Sequence, residues 1–471
     1  MLEYLRRHSR ALVVGCGQSG VAAAELLVAA GVATHLYDMR SEVAGLPARL
    51  AACPRSFGQP FAPDTAFAGI DLLVLSPGVP PRPWLAAAQR LAPHATVHGE
   101  LSLALAAFGP GTAGPTPRTV LITGTNGKST VTALTGALLD AGGLDPFVGG
   151  NLGTPLAQLV LDVAEGRRAR PGALVLECSS YQLETHLTRA EPDAPPTAVA
   201  MVLNVTPDHL DRYPNLDAYA LTKARAFVGV EPGGLALLDA RDEFTPLLRP
   251  TVPSHARLCL VEGEQPPRLV AGGLALDGGE HFDRDAVPLA GRHNLVNTLF
   301  ALSAARHVGV SHDACMVGLA SFRALPHRMN LVGEHGGVRF YDDSKATNVA
   351  SVLAGLDGFD RPFVLICGGR AKGDDLTLLR GPLAAQGRGV VAIGESAEQF
   401  VAMASDLVPS HRAADMHEAV RIAASLAKPG EAVLLSPACA SWDMYRSFVH
   451  RGQVFAEAVA ALGVFDPRME A

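Results

Sequence analysis

Apolar residues in this chain come in short runs that end on glycine or proline, and these runs alternate with longer stretches of helical spacing. Residues 11–15 (ALVVG) read as a short buried strand, GCGQSG follows as a tight turn, and VAAAELLVAAG reads as a helix ending at Gly31. Thr34–Tyr37 is a second strand that ends at Asp38, and DLLVLSPGVP is a third that stops at Pro77. Strand, glycine turn, helix and strand within about 30 residues make a βαβ unit. The alternation restarts with TVLIT, the turn GTNGKST and the helix VTALTGALLDAGG, then the strands ALVLECSS and AVAMVLNV. Between 235 and 278, short strands with many glycine turns predict an appended antiparallel patch, and NLVNTLFALSAARHVG reads as a helix. From LPHR at 325–328 onward, VRFYDD, FVLICGG, VVAIG and AVLLSP are strands with helices between them. Strands alternating with helices imply mostly parallel sheets.

Three prolines and three glycines in FGPGTAGPTPR (108–118) cannot hold a helix or a central strand, so this stretch reads as an interdomain linker. The length of 471 residues suits about three domains. The expected division is 1–108, 109–324 and 325–471. The expected fold class is α/β in three domains: a Rossmann-like N-terminal domain, a central P-loop ATPase-like domain with a small antiparallel sheet, and a Rossmann-like C-terminal domain.

Composition narrows the function. Apolar residues make up 48% and charged residues 18%, which excludes wholesale disorder. A net charge of −7 argues against a general nucleic-acid binder. Seven cysteines, at 16, 53, 178, 259, 315, 367 and 439, include no CxxC pair, so neither a disulfide framework nor a zinc ribbon is expected. No apolar stretch approaches a spanning helix and no signal peptide is read at the N-terminus, so a cytoplasmic enzyme without membrane insertion is expected.

The strongest chemical signal is GTNGKST, Gly124–Thr130, between a strand and a helix. That placement aims backbone N–H groups and a helix N-terminus at one point, which suits a polyphosphate. Gly124, Thr125, Asn126 and Gly127 would form the cradle, Lys128 would reach the β- and γ-phosphates, and Ser129 or Thr130 would offer a hydroxyl to Mg²⁺. The spacing has two residues between the glycines, where the common P-loop has four. GCGQSG at 15–20 matches GxGxxG with Asp38 some 20 residues on, which by itself fits a dinucleotide, another diphosphate or a plain structural turn.

Other polar clusters close strands. Glu177, in ECSSYQLE, is placed to bind Mg²⁺ directly or through water. Asp208, His209 and Asp211 cluster after a strand, as a cation site would, whereas Lys223 on its own reads as a solvated helix charge. YDDSKATN (341–348) offers Asp343 and Lys345 with Ser344, Thr347 and Asn348 beside them. Arg328 in LPHR suits a phosphate. GGRAKGDD carries Lys372, and SPACASWD carries Ser441 and Trp442 on a loop entering a helix. Ligand sites of open α/β sheets lie at strand carboxyl ends, so these clusters point to function together.

GTNGKST, ECSSYQLE, NVTPDHLDRY with Lys223, GRHN, LPHR, DDSKATN, GGRAKG and SPACASWD occur in the order found in Mur ligases. From the first glycine turn to about Gly463 the chain resembles that family, and it looks most like the branch that adds D-glutamate to UDP-N-acetylmuramoyl-L-alanine. GTNGKST alone is shared with folylpolyglutamate synthases. The resemblance implies a UDP-sugar domain, an ATP domain and an amino-acid domain. It implies UDP-sugar contacts at Gln18, Ser19, Asp38, Arg40, Ser76, Pro77, Gly78 and Asn151, which displaces NAD as the ligand of the first turn, and a substrate role for Asn204. Nucleotide contacts are implied at Asn294, Arg328 and Asp343 besides the 124–130 loop. Glutamate contacts are implied at Lys345, Thr347, Lys372, Ser441, Trp442 and Phe448.

Two Mg²⁺ ions are implied, one held by Ser129 and Glu177 and the other by His209, with Lys223 carbamylated into an oxygen ligand. Lys128, His209, Lys223, Asp343 and Lys345 are the implied catalytic set. The implied reaction forms an acyl phosphate from ATP, which the amino acid then attacks. A monomer is expected, with a hinge near Ala324. Three departures from the family stand out: Cys178 and Tyr181 in the ECSSYQLE stretch, Trp442 where a small apolar residue is common, and Asn330 where Glu is usual. An L-glutamate-adding relative or a folylpolyglutamate synthase-like enzyme is the alternative within the ligase class, and an NAD-dependent oxidoreductase is the alternative outside it.

Overall fold

A computed structural model describes residues 2–59, 63–109, 115–186, 195–210, 212–289, 291–323, 325–357 and 359–463. The chain folds as two compact units. One comprises Met1–Val205, Asp217–Ala286 and Val296–Phe322, and the other Thr206–Leu216, Val287–Leu295 and Arg323–Ala471.

The first unit holds two parallel sheets and a small antiparallel one. The first sheet has the order β3-β2-β1-β4-β5, with β1 Arg10–Val14, β2 Ala33–Asp38, β3 Arg55–Phe57, β4 Leu72–Leu75 and β5 Thr96–Gly99. All its pairs are parallel. The chain leaves β1 toward β2 and later returns to β4 on β1's other side, so the carboxyl ends of β1 and β4 flank the crevice where such sheets bind ligands. The helix after β1 is Gln18–Ala29. It closes with Gly31 in the left-handed region at φ +85°, where the Val32 N–H reaches the Leu27 carbonyl and the Gly31 N–H that of Val28. A residue with a Cβ would be strained there, which is why the helix signal stops at that glycine.

The second sheet has the order β11-β10-β9-β6-β8-β7. Its strands are β6 Arg118–Thr123, β7 Pro146–Gly150, β8 Ala173–Glu177, β9 Thr197–Val202, β10 Val230–Asp239 and β11 Arg257–Val261, all paired in parallel. β8 and β9 are buried at every position, as strands covered on both faces must be. The antiparallel patch is β12 Arg268–Val270, β13 Gly273–Ala275 and β14 His281–Asp283. It is narrower than the 235–278 stretch suggested, because β10 and β11 bury their Leu and Val residues in the main sheet instead.

Helix Glu100–Ala107 is buried at all eight positions. Its Glu100 carboxylate is fully buried and accepts the Ala157 N–H at 2.6 Å, in the first turn of helix Leu156–Ala164, while its Oε2 has no partner among the described residues. Burial pushes its pKa up to about 7, against the pull of the Ala157 and Leu156 amides. In the unfolded chain the group ionises near 4.5, so between that pH and about 7 unfolding releases a proton the folded state retains. Stability therefore falls over this window and levels off above it, by roughly 3 kcal/mol at most. Glu100→Gln keeps the acceptor and removes the ionisation. Its Tm should equal or trail the wild type near pH 4.5 and gain on it steadily up to pH 7. Thermal melts of both proteins across pH 4.5–8 check this, and parallel curves would count against it.

The second unit is built on the sheet β15-β16-β20-β17-β18-β19: β15 Asn330–His335, β16 Val338–Asp342, β17 Phe363–Gly368, β18 Gly387–Ile393, β19 Ser410–Arg412 and β20 Ala432–Leu435. Only the β15–β16 pair is antiparallel. One face packs Phe363, Leu365 and Leu434 under Phe400, and the other packs Phe340, Val433 and Leu435 under Phe455.

Candidate active site

In the first unit, GTNGKST joins β6 to helix Lys128–Ala141. Gly127 sits at φ +82°, and a Cβ there would lie 2.6 Å from Asn297 Oδ1. One on Gly124, at φ +150°, would meet Leu203 Cβ at 3.0 Å. Only glycine fits these positions. Asn204, at the end of β9, staples the loop: its carbonyl accepts the Thr125 N–H, its Oδ1 the Asn126 N–H at 2.8 Å, and its Nδ2 donates to the Asn126 carbonyl at 3.1 Å. Asn204 thus shapes the cradle in this structure, where a substrate contact was expected. The helix has no side-chain N-cap, so its N-terminal amides face the cradle as they would for a phosphate.

Two lysines converge on this loop. Lys128 Nζ donates to the carbonyls of Gly124 at 2.8 Å and Thr125 at 2.7 Å. Lys223 Nζ donates to the same Gly124 carbonyl at 2.9 Å and stands 4.2 Å from the Tyr219 ring. Lys223 is 1% exposed, which overturns its reading as a solvated helix charge. Tyr219 lies one helical turn earlier on Leu216–Ala224, and its hydroxyl lies 3.4 Å from Thr125 Oγ1. Ser129 and Thr130 are buried in the first turn of the P-loop helix.

Glu177 ends β8, beside β6. Its Oε1 accepts Asn151 Nδ2 at 2.6 Å, and its buried Oε2 has no hydrogen-bond partner among the described residues. A buried carboxylate oxygen left open beside a hydroxyl-bearing P-loop helix fits a divalent cation, as does the set of hard oxygen donors. Cys178 is a buried thiol, and the turn after it has a capping box between Ser179 and Gln182.

The glycine turn after β1 is close-packed. A Cβ on Gly20 would lie 1.9 Å from the Gly15 carbonyl oxygen, and Ser76 Oγ donates to that oxygen at 2.5 Å. The Asp38 carboxylate accepts the Cys16 N–H at 2.7 Å and the Arg40 guanidinium at 2.8 and 2.9 Å. The Arg40 hydrogen bonds hold its pKa down to about 2. Both oxygens are thereby committed to the turn and to Arg40, which removes the free acid that a dinucleotide ribose would need. Gln18 Nε2 donates to the Gly153 carbonyl, which brings Gln18 and the Asn151 loop together. Ser19 and Pro77 are half-buried and Gly78 is exposed at the same carboxyl edge.

The second unit gathers the rest. Asp343 follows β16, fully buried, with Ser436 Oγ donating to its Oδ2 at 2.7 Å. Burial raises its pKa to about 7, and the Arg328 charge opposes the rise. Asn330 Oδ1 accepts the Arg328 N–H at 2.8 Å. Asn294 opens helix Arg292–His307, and its neighbour His293 feels the charges of Asp357 and Arg328. Lys345 Nζ stands 3.9 Å over the Phe448 ring. Thr347 is half-buried and Ser441 is buried. Trp442 is 67% exposed, while its neighbour Ser441 is buried.

Lys372 Nζ is paired with the buried Asp208 carboxylate at 3.3 Å, and Asp208 also accepts the N–H of His209. His209 itself sits at φ +56°, with a third of its side chain exposed. Asp211 and Ala324 lie outside the described residues, as do residues 110–114 of the expected linker.

Three residues near these groups escaped the motif reading. Asn297 faces Gly127 and lies three residues beyond Asn294, a spacing that puts both on one helical face. Tyr219 stands four residues before Lys223, again one helical turn away. Arg451, buried in helix Phe448–Leu462, carries no local signal at all.

Known proteins resemble this chain along almost its whole length. Residues 9–93 match the MurD-like N-terminal domain of Mur ligases, 122–305 the Mur ligase middle domain, and 327–439 the glutamate ligase domain of Mur ligases. The chain is 43% identical to UDP-N-acetylmuramoylalanine--D-glutamate ligase of Anaeromyxobacter dehalogenans, over 95% of this chain and 96% of that one. It is 40% identical to the protein of the same name from Chromobacterium violaceum, over 98% and 99%. Among solved structures, MurF from Acinetobacter baumannii superposes with a TM-score of 0.60 at 19% identity, covering 83% of this chain and 90% of that one. UDP-N-acetylmuramate-alanine ligase MurC from Thermotoga maritima gives 0.58 at 16%, covering 97% and 100%. With a stapled P-loop, an open buried carboxylate beside it and near-full-length likeness at about 40% identity, this chain belongs to the Mur ligase family.

Proposed function

We propose that this chain joins D-glutamate to UDP-N-acetylmuramoyl-L-alanine with ATP, making a peptidoglycan precursor in the cytoplasm as a monomer. The observation that carries the chemistry is the convergence of Lys128 and Lys223 on one carbonyl at the end of β6, with the open oxygen of Glu177 at the end of the neighbouring strand β8. Two anions, a carboxylate and a triphosphate, must be brought together, and that requires concentrated positive charge. No helix among the described residues is long and apolar enough to cross a membrane.

The substrate carboxylate attacks the γ-phosphorus of ATP, and the bond to the ADP oxygen breaks. The acyl phosphate that results has phosphate as its leaving group where a bare carboxylate has only oxide. The glutamate amine, after losing a proton, attacks the acyl carbon. The tetrahedral adduct collapses to the amide and inorganic phosphate. Residues 124–130 hold the triphosphate, with Asn294, Arg328 and Asp343 as further nucleotide contacts. Gln18, Ser19, Asp38, Arg40, Ser76, Pro77, Gly78 and Asn151 serve the UDP-sugar. Lys345, Thr347, Lys372, Ser441 and Phe448 serve glutamate, whose two carboxylates suit cations and hydroxyls. Ser129, Glu177, His209 and a carbamylated Lys223 would hold two Mg²⁺ ions, which would neutralise phosphate charge and polarise the transferring group. The roles follow the division 1–108, 109–324 and 325–471.

Phosphate release from ATP, Mg²⁺ and UDP-N-acetylmuramoyl-L-alanine should require D-glutamate. L-Glutamate and meso-diaminopimelate should give less than about a hundredth of that rate, since stereochemical discrimination at a site with several charged contacts is worth a few kcal/mol. Turnover with L-glutamate instead would keep the mechanism and move the chain to another branch. Silence with all three would overturn the nucleotide-sugar assignment.

A further inference from the structure

Arg451 is among the largest fully buried side chains of the protein, at 0% exposed, and it is held without a carboxylate partner among the described residues. Its Nε donates to Ser344 Oγ at 3.0 Å, Nη2 to the Ser344 carbonyl at 2.8 Å, and Nη1 to the Cys439 carbonyl at 3.0 Å. Ser344 Oγ in turn donates to the Phe448 carbonyl at 2.8 Å. One guanidinium therefore spans two loops and, through the serine, the start of its own helix. The first loop carries Lys345 one residue after Ser344. The second carries Ser441 two residues after Cys439. Phe448 is the ring under the Lys345 ammonium. A third loop passes close by: a Cβ on Gly369, three residues before Lys372, would lie 3.4 Å from Nη1.

The next residue reinforces the fit. A Cβ on Gly452 would lie 2.2 Å from His327 Nδ1 and 2.6 Å from Asp342 Oδ2, two atoms that are themselves hydrogen-bonded at 2.6 Å. The helix thus presses its Arg-Gly pair into the base of the loops. A buried charge with no carboxylate hydrogen-bonded to it is costly even with Asp443 and Asp342 nearby, and a well-packed apolar side chain of that volume would hold the helix at least as well. Burial lowers the Arg451 pKa to about 10, so the group stays charged at neutral pH. What an apolar residue could not supply is three donors in a rigid planar fork.

We infer that Arg451 is a positioning residue for the glutamate half of the reaction, setting Lys345, Phe448 and Ser441 in mutual register without touching the substrate. This rests on the assignment of those three residues to glutamate. Asp343, one residue away, is anchored separately through its N–H to the Leu435 carbonyl and through Ser436, so the nucleotide contacts should be spared.

The test is a steady-state comparison of wild type, Arg451→Lys, Ser344→Ala and the double variant, each with its Tm, varying D-glutamate, ATP and UDP-N-acetylmuramoyl-L-alanine in turn. Arg451→Lys keeps the charge and loses the fork. It should raise KM for glutamate about tenfold or more while the other two KM values stay within about twofold. Ser344→Ala should move glutamate KM in the same direction by about threefold, and the double variant should fall short of the product of the two single effects because the variants share the bond between Arg451 and Ser344 Oγ. A parallel rise in all three KM values with a lowered Tm would make Arg451 a plain structural residue. An unchanged glutamate KM in a folded variant would also overturn the inference. Should Arg451→Lys fail to fold, Ser344→Ala decides on the same criterion. If wild type itself does not use glutamate, the functional assignment has failed, and that is seen before any variant is compared.

Discussion

Lys223→Ala should lower turnover by about a thousandfold or more, and short-chain carboxylic acids should restore part of it. The ground for this is the crowding of two ammonium groups at one carbonyl oxygen: Lys128 Nζ at 2.8 Å and Lys223 Nζ at 2.9 Å from Gly124 O, with Lys223 almost wholly buried. Two ammonium groups at such range repel each other, so converting one of them into an anion relieves the crowding. A neutral amine attacks the carbon of carbon dioxide and then loses a proton, and the carbamate that forms exchanges an ammonium for a carboxylate-like oxygen pair. That product would sit beside Lys128 as a counter-charge and would add an oxygen ligand for Mg²⁺ near Glu177. Two measurements check the expectation. Acetate or formate should rescue Lys223→Ala by tenfold or more at high concentration, since a free acid can replace the lost oxygens. A carbamate carbon should appear in the ¹³C spectrum of wild type given labelled bicarbonate and be missing from the variant. No rescue together with no carbamate signal would leave Lys223 acting as an unmodified ammonium.

Lys128→Ala should reduce kcat/KM for ATP by about a thousandfold while leaving the affinity for the UDP-sugar within a factor of two. In this structure the Lys128 ammonium folds back onto the carbonyls of Gly124 and Thr125, which keeps it over the cradle that Asn204 staples open. Removing it leaves the backbone donors and the helix N-terminus in place. Nucleotide binding should therefore weaken less than turnover, because the charge matters most as the γ-phosphoryl group transfers. Isothermal titration with ADP and with the UDP-sugar separates the two effects. A loss of UDP-sugar binding at unchanged nucleotide affinity would place the loop at the wrong ligand.

Much of the site was legible because its chemistry sits in contiguous runs. GTNGKST, ECSSYQLE and DDSKATN each combine a strand end, a turn and charged or hydroxyl side chains, and the tertiary structure keeps each run in one place. The Gly31 helix stop and the Gly124 and Gly127 cradle could be read from local rules, since a left-handed φ or a neighbour within 3 Å admits glycine alone. The residues that escaped are those whose partners lie far along the chain. Lys223 looks like any helix lysine until it is seen meeting a carbonyl 99 residues earlier. Arg451 reaches Ser344 across 107 residues. Trp442 adjoins a buried serine in sequence and yet is largely exposed, because consecutive residues of a loop need not share a side.

By itself the sequence determined the α/β class, the three βαβ-type segments and the glycine turn at 124–130 between a strand and a helix. Hydrophobic period, turn residues and short motifs are local properties, and the physics behind them acts within a few residues. Only the tertiary structure decided which strands became neighbours, so that β8 placed Glu177 and β9 placed Asn204 on either side of the Gly124 turn. It alone decided which charges were buried and what they met: Asp38 committed to Arg40, Lys372 held by Asp208, and two lysines brought to one carbonyl. Those outcomes depend on desolvation and on distances between residues far apart along the chain, and neither quantity exists until the sheets have packed.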